Sequence, residues 1–313
     1  MNEIYTLYTR SNFDGLVCTA LLKEIGLIDE VKFVHPKDFQ DGKIEIKENS
    51  ITACLAYRDG VYMAFDHHSS ESVRIAEEKE NFIFEPSAPS CARIIYEYFG
   101  GENKFDSDWE DVLDAVDIAD CTTYNEKDIL EPEKWVLLNY IMDPRTGFGY
   151  HKIFKISNLA LMHKLVGLLG PQTIEKILND PDVKERVNIY FEEQKDFRLQ
   201  LKRCTRIENN IAILDLRDEL VMHVGNRFML YSLFPECNVS ITVFSGLNKQ
   251  NTVIAIGKSI INKPCHIDIG KLLYEKFQGG GHSHAGTMQV DNDKADEIIE
   301  ILISELKTKE EER

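Results

Sequence analysis

Apolar and polar positions recur with two periods along the chain, and the switches between them outline the fold. Residues 4–9 alternate with period two, which predicts a strand running into the polar turn RSNFDG at 10–15. Leu16, Val17, Ala20, Leu21, Leu22 and Ile25 then share one helical face, with Gly26 as the stop. Residues 31–35 predict a second strand, broken by Pro36; residues 51–56 and 61–65 predict two more, parted by a turn at 57–60. Helical spacing returns at 92–99 and ends at Gly100 and Gly101. This order predicts a mainly parallel, doubly wound sheet with helices on both faces.

From Trp109 to about Arg206 the spacing is helical, with apolar faces at 112–119, 135–141 and 159–169 and a strongly charged stretch at 187–204. Strand patterns return at 211–216, 239–244 and 252–256, with helical ones at 227–234 and 269–277. A glycine-dense loop is expected at 279–286, ahead of a short strand at 287–290 and an amphipathic helix from Ala295. The expectation is an α/β protein: an N-terminal domain over 1–190, a helical linker over 191–207, and a smaller α/β domain over 208–313, with the active cleft between the two domains.

Composition narrows the function. A chain of 313 residues suits two domains, at about 150 residues each. Hydrophobic residues at 43% and charged residues at 28% exclude disordered and fibrous classes. No apolar run nears the ~18 residues of a membrane span, and the N-terminus lacks a basic-then-apolar leader, so a cytoplasmic protein without a membrane partner is expected. The balance of 36 Lys+Arg against 53 Asp+Glu, a net −17, argues against duplex nucleic acid, which needs a basic face. A small phosphorylated ligand held by a few basic groups remains open. The seven cysteines are scattered and include no Cys-x-x-Cys pair, so neither a disulfide framework nor a structural zinc site is expected. Most should be reduced and buried as small hydrophobes.

Chemistry gathers at a few places. Asn12, Asp14 and Gly15 follow the first strand, at the carboxyl edge where parallel sheets bind ligands; the plainer role for Asp14 is a helix N-cap. Asp66, His67 and His68 directly follow another strand, and three convergent metal or proton-transfer groups are hard to explain as packing. Their mixed oxygen and nitrogen donors suit Mn, Fe or Zn, and lean towards Mn. Asp117 and Asp120 are spaced to share a helix face, as a cation pair of ligands or as two exposed acids. Bare amides at Gly280 and Gly281, with His282, could cradle an anion, or form a plain surface turn.

In this order the pieces resemble the DHH phosphoesterase superfamily, named for the triplet found here as Asp66-His67-His68. Gly279-Gly280-Gly281-His282, followed by Ala285-Gly286, is similar to the signature of its C-terminal DHH-associated domain. The resemblance spans nearly the whole chain and is nearest to the exopolyphosphatase-related, nanoRNase-like branch. It implies a Mn-dependent phosphoester or phosphoanhydride hydrolase acting on a short single-stranded oligonucleotide, a nucleotide or polyphosphate, and is compatible with a homodimer. Carried over by residue, it implies metal ligation by Asp14, His67 and Asp120, catalytic roles for Asp66 and His68, and substrate contacts from Arg10, Asn12, Arg227, Lys258, Gly280, Gly281 and His282.

The family's first motif commonly reads His-x-Asp-x-Asp-Gly; here it is Arg10-Ser-Asn12-Phe-Asp14-Gly. Arg10 cannot ligate a metal, and Cys54 falls where the second motif offers an Asp. One metal site is therefore expected nearly complete and the other dismantled, with one Mn ion. Arg10 could supply fixed positive charge in place of the second, which requires an anion or acidic side chain beside it. The alternative is a catalytically weakened protein that binds a nucleotide or phosphate.

Overall fold

The computed structural model describes residues 4–311 apart from 69, 70, 72, 73, 76, 78, 107, 151–153, 171, 263 and 264. Its internal contacts define two compact units, Met1–Tyr124 with Pro132–Ile189, and Asn125–Glu131 with Tyr190–Arg313. Among the described residues, no helix is long and apolar enough to cross a membrane.

The first unit opens with β1 (Tyr5–Thr9), α1 (Phe13–Glu24), β2 (Ile28–Phe33), α2 (Pro36–Gln40), β3 (Ser50–Ala53), β4 (Met63–Asp66) and β5 (Phe82–Phe84). Along the chain then come α3 (Cys91–Tyr98), α4 (Trp109–Cys121), α5 (Glu126–Leu130), α6 (Lys134–Met142), α7 (Asn158–Val166), α8 (Ile174–Asn179) and the long α9 (Pro181–Cys204), of which α5 and the part of α9 from Tyr190 belong to the second unit. The five strands pair in parallel in the order β2-β1-β3-β4-β5. Every residue of β1 and β3 is buried, as a central strand covered on both faces must be. The chain winds from β1 outwards to β2, then resumes on the other side at β3. That reversal is a topological switch point, and the carboxyl edge beside it is where open parallel sheets bind ligands.

Helix α1 departs from the one-sided pattern expected of it. Phe13 to Leu22 are all buried, because the helix packs against α3, α4 and α7 as well as the sheet. Gly15 permits its tight start: a Cβ there would lie 2.2 Å from the Arg10 carbonyl oxygen.

The second unit carries β6 (Thr205–Glu208), β7 (Ile211–Asp215), α10 (Met229–Leu233), β8 (Val239–Ser245), β9 (Thr252–Lys258), α11 (Ile269–Phe277), β10 (Gly280–His282), β11 (Ala285–Val290) and α12 (Ala295–Glu311). Its six strands run β10-β11-β9-β8-β7-β6, antiparallel except for β7 beside β8. Alternation along β7 sends Ile211 and Ile213 into a core with α11 and α12, and Ala212 and Leu214 into one with Phe197 and Leu201 of α9. The charged stretch at 187–204 thus lies within α9. The glycine run is not the expected loop. Gly280–His282 pairs with β11 as a tight hairpin, in which a Cβ on Gly281 would meet the Ala285 oxygen at 2.2 Å.

Candidate active and metal site

The ends of β1, β3 and β4 and the segments that follow them carry Arg10 to Asp14, Cys54, and Asp66 to His68, all at the carboxyl edge of the first unit's sheet. Asn12, not Asp14, caps α1: its Oδ1 accepts the Gly15 amide at 3.0 Å. The Asp14 carboxylate is thereby left to reach the start of α3. It accepts the Ala92 amide at 2.8 Å and the Cys91 amide at 3.2 Å, and the Cys54 thiol donates to it at 3.1 Å. Burial, with the neighbouring Cys54 and Asp120, raises its pKa well above the usual carboxylate range.

At the end of β4, Asp66 is a buried acceptor. Its Oδ1 takes the His67 amide at 2.9 Å and stands 2.6 Å from His68 Nδ1. His67 Nδ1 lies 3.1 Å from the Ala88 carbonyl, which can only accept, so the ring proton sits there. This turns Nε2 inward, where it is buried 3.0 Å from Asp120 Oδ2 yet outside hydrogen-bonding geometry. Asp14, His67 and Asp120 each present a ligand atom within 4.8 Å of the others. An imidazole oriented by a carbonyl and facing two carboxylates fits a divalent cation. Burial opposes charge on His67, but Asp120 and Asp14 outweigh it and lift its pKa to about 10. Burial likewise opposes charge on Asp120, and His67 overrides it to lower that carboxyl.

The two acids of α4 part company. Asp117 accepts the Ser90 hydroxyl at 2.6 Å and the Arg93 guanidinium at 2.9 and 2.7 Å, so it serves α3. Asp120 alone of the pair faces His67.

Arg10 turns towards the cluster, with Nη1 3.2 Å from His68 Nε2. Its partner is an imidazole; among the described residues no carboxylate lies within salt-bridge reach of it, so of the two expected partners, an anion or an acidic side chain, the acidic side chain is not found. Sequence patterns missed two contributors: the Ala88 carbonyl and the first amides of α3.

The remaining expected contacts belong to the second unit. The Arg227 guanidinium lies 4.5 Å from the centre of the Phe228 ring. Lys258 ends β9, its amide bonded to the His284 carbonyl at 2.9 Å. Gly280, Gly281 and His282 form β10; Gly280, unlike Gly281, has open space at its Cβ position.

No protein-family model matches the chain, and neither does any curated protein. Among solved structures, a pGpG-specific phosphodiesterase, PggH from Vibrio cholerae, is 42% identical, with 97% of this chain and 99% of that chain covered and a TM-score of 0.83. An exopolyphosphatase-related protein from Bacteroides fragilis is 11% identical, with 99% of this chain and 93% of that chain covered and a TM-score of 0.49. The chain belongs to the DHH phosphoesterase superfamily.

Proposed function

We propose that this protein hydrolyses the phosphodiester bond of a short linear oligonucleotide, with a pGpG-type guanine dinucleotide as its substrate and Mn²⁺ as its cation. The observation that carries the reading is the inward His67 Nε2, oriented by Ala88 and set against Asp120 and Asp14. The relative's stated substrate and its 42% identity support the choice of dinucleotide. A net charge of −17 supports a small substrate over a long one. Seven free cysteines suit the reducing cytoplasm.

Asp14, His67 and Asp120 hold the cation, which supplies Lewis-acid stabilisation of charge on the phosphoryl group. Arg10 donates to a phosphate oxygen and adds fixed positive charge beside it. With Arg10 on the phosphate, His68 Nε2 accepts a proton from the attacking water, and Asp66, 2.6 Å from Nδ1, orients the ring and stabilises the imidazolium; as the new P–O bond forms, the ester P–O bond breaks and the leaving sugar oxygen takes the proton back from His68. Asn12 spends its oxygen on the helix cap and keeps its amide nitrogen for substrate. Arg227, Lys258, Gly280, Gly281 and His282 are assigned to gripping the nucleotide.

The test is chromatography of GMP released from pGpG by the full chain with Mn²⁺. Release that stops with chelator and in His67→Ala supports the reading. Tight dinucleotide binding without release would establish the binding-only alternative instead.

A further inference from the structure

Beside the carboxylate-histidine cluster lies a second group of potential ligands that the proposed reaction does not use. Cys18 of α1, Cys54 after β3 and Cys91 at the start of α3 place their sulfurs within 4.8 Å of one another, all buried. Cys18 and Cys54 are 3.8 Å apart, sulfur to sulfur. Asp14 faces the same group, with Oδ2 3.1 Å from Cys54 Sγ and Oδ1 3.7 Å from Cys18 Sγ.

From these distances we infer that Cys18, Cys54 and Cys91, completed by Asp14, form a binding site for a thiophilic divalent cation, Zn²⁺. Tetrahedral zinc with Zn–S of about 2.3 Å sets two sulfurs about 3.8 Å apart; with Zn–O of about 2.1 Å, sulfur and oxygen stand about 3.6 Å apart. The Cys18–Cys54 pair at 3.8 Å and the Cys18–Asp14 pair at 3.7 Å have these spacings, Cys54 lies closer to Asp14 at 3.1 Å, and Cys91 is within 4.8 Å of the other sulfurs. Packing alone accounts for three small buried thiols, but not for two of them directed at one buried carboxylate. Nor does it account for the Cys54 backbone, which holds φ +57°, a left-handed conformation that a non-glycine residue adopts at a cost, and which points its thiol at Asp14. Thiolates select soft cations over Mn²⁺, so the two neighbouring sites sort their metals by ligand chemistry while sharing Asp14. Binding releases the thiol protons to solvent and leaves excess negative charge. The Cys91 and Ala92 amides at the start of α3, both donated to Asp14, partly offset it. The cysteines are far apart in sequence and lack paired spacing, which is why no zinc site was expected.

The experiment is metal analysis of the full chain produced in zinc-supplemented medium, together with the absorption spectrum of its Co²⁺ form. The expected result is about one tightly held zinc per chain and a thiolate-to-cobalt charge-transfer band. That band is expected to vanish in Cys18→Ser and Cys91→Ser and to persist in Cys237→Ser. A folded, fully reduced chain with neither zinc nor that band would overturn the site, whatever the variants do. Cobalt bound without the band, and lost in His67→Ala, would also overturn it while leaving the proposed Mn²⁺ site standing. Zinc retained by a chain that hydrolyses no dinucleotide would support this site and count against the proposed function alone.

Discussion

Arg10 Nη1 lies 3.2 Å from His68 Nε2, and because a guanidinium only donates, this contact fixes the imidazole proton on Nδ1, facing Asp66. One arginine thus sets a tautomer and holds positive charge beside the cation cluster. Replacing it separates the two effects. Arg10→Ala is expected to weaken binding of a non-hydrolysable dinucleotide analogue by about 1.5–3 kcal/mol, the range for a charge-assisted hydrogen bond. Calorimetric titration checks this; unchanged affinity would end the phosphate-contact role.

The two acids of α4 predict opposite phenotypes. Asp120→Asn and His67→Ala should abolish Mn²⁺ binding, followed by electron paramagnetic resonance. Asp117→Asn should leave it intact and cost about 1–3 kcal/mol of stability, by weakening the charged bonds to Arg93. Loss of Mn²⁺ in Asp117→Asn with a normal urea midpoint would reverse the assignment.

Cation uptake should depend on pH. His67, lifted to about 10, carries a proton at neutral pH that a metal must displace. Its raised pKa means protonation competes below about 10, so affinity rises with pH, up to tenfold per unit. Calorimetry at pH 7.5 in buffers of different ionisation enthalpy should show about one proton released. Uptake with no proton release would remove His67 from the ligand set.

Gly15→Ala puts a methyl 2.2 Å from the Arg10 oxygen and 2.8 Å from Thr9 Oγ1. A loss of about 3 kcal/mol is expected, at the upper end for overpacking, because the nearest neighbour is backbone. Urea denaturation measures it, and a loss below about 1 kcal/mol would show that the turn yields easily.

The parallel sheet, its strand ends and the Asp66 triplet were legible because each rests on local periodicity. What escaped depends on partners distant in sequence. Helical spacing puts Asp117 and Asp120 on one face; Ser90 and Arg93, at the start of another helix, draw Asp117 away. Asn12 and Asp14 are equally good caps by composition, and the α3 amides that engage Asp14 decide between them. The glycine run looked like a loop because glycine disfavours strands. Its tight hairpin, where Gly281 meets Ala285 backbone, admits little else.

Apart from Cys18 one helical turn on, the partners of Asp14 lie 40, 77 and 78 residues beyond it. During synthesis this carboxylate leaves the ribosome long before the amides that will hold it. A nascent chain ending after α3 has Asp14 and His67 but no Asp120, and so lacks the complete ligand set. The proposed cation site can therefore assemble only after most of the first unit has been made, and truncated products lack its full ligand set.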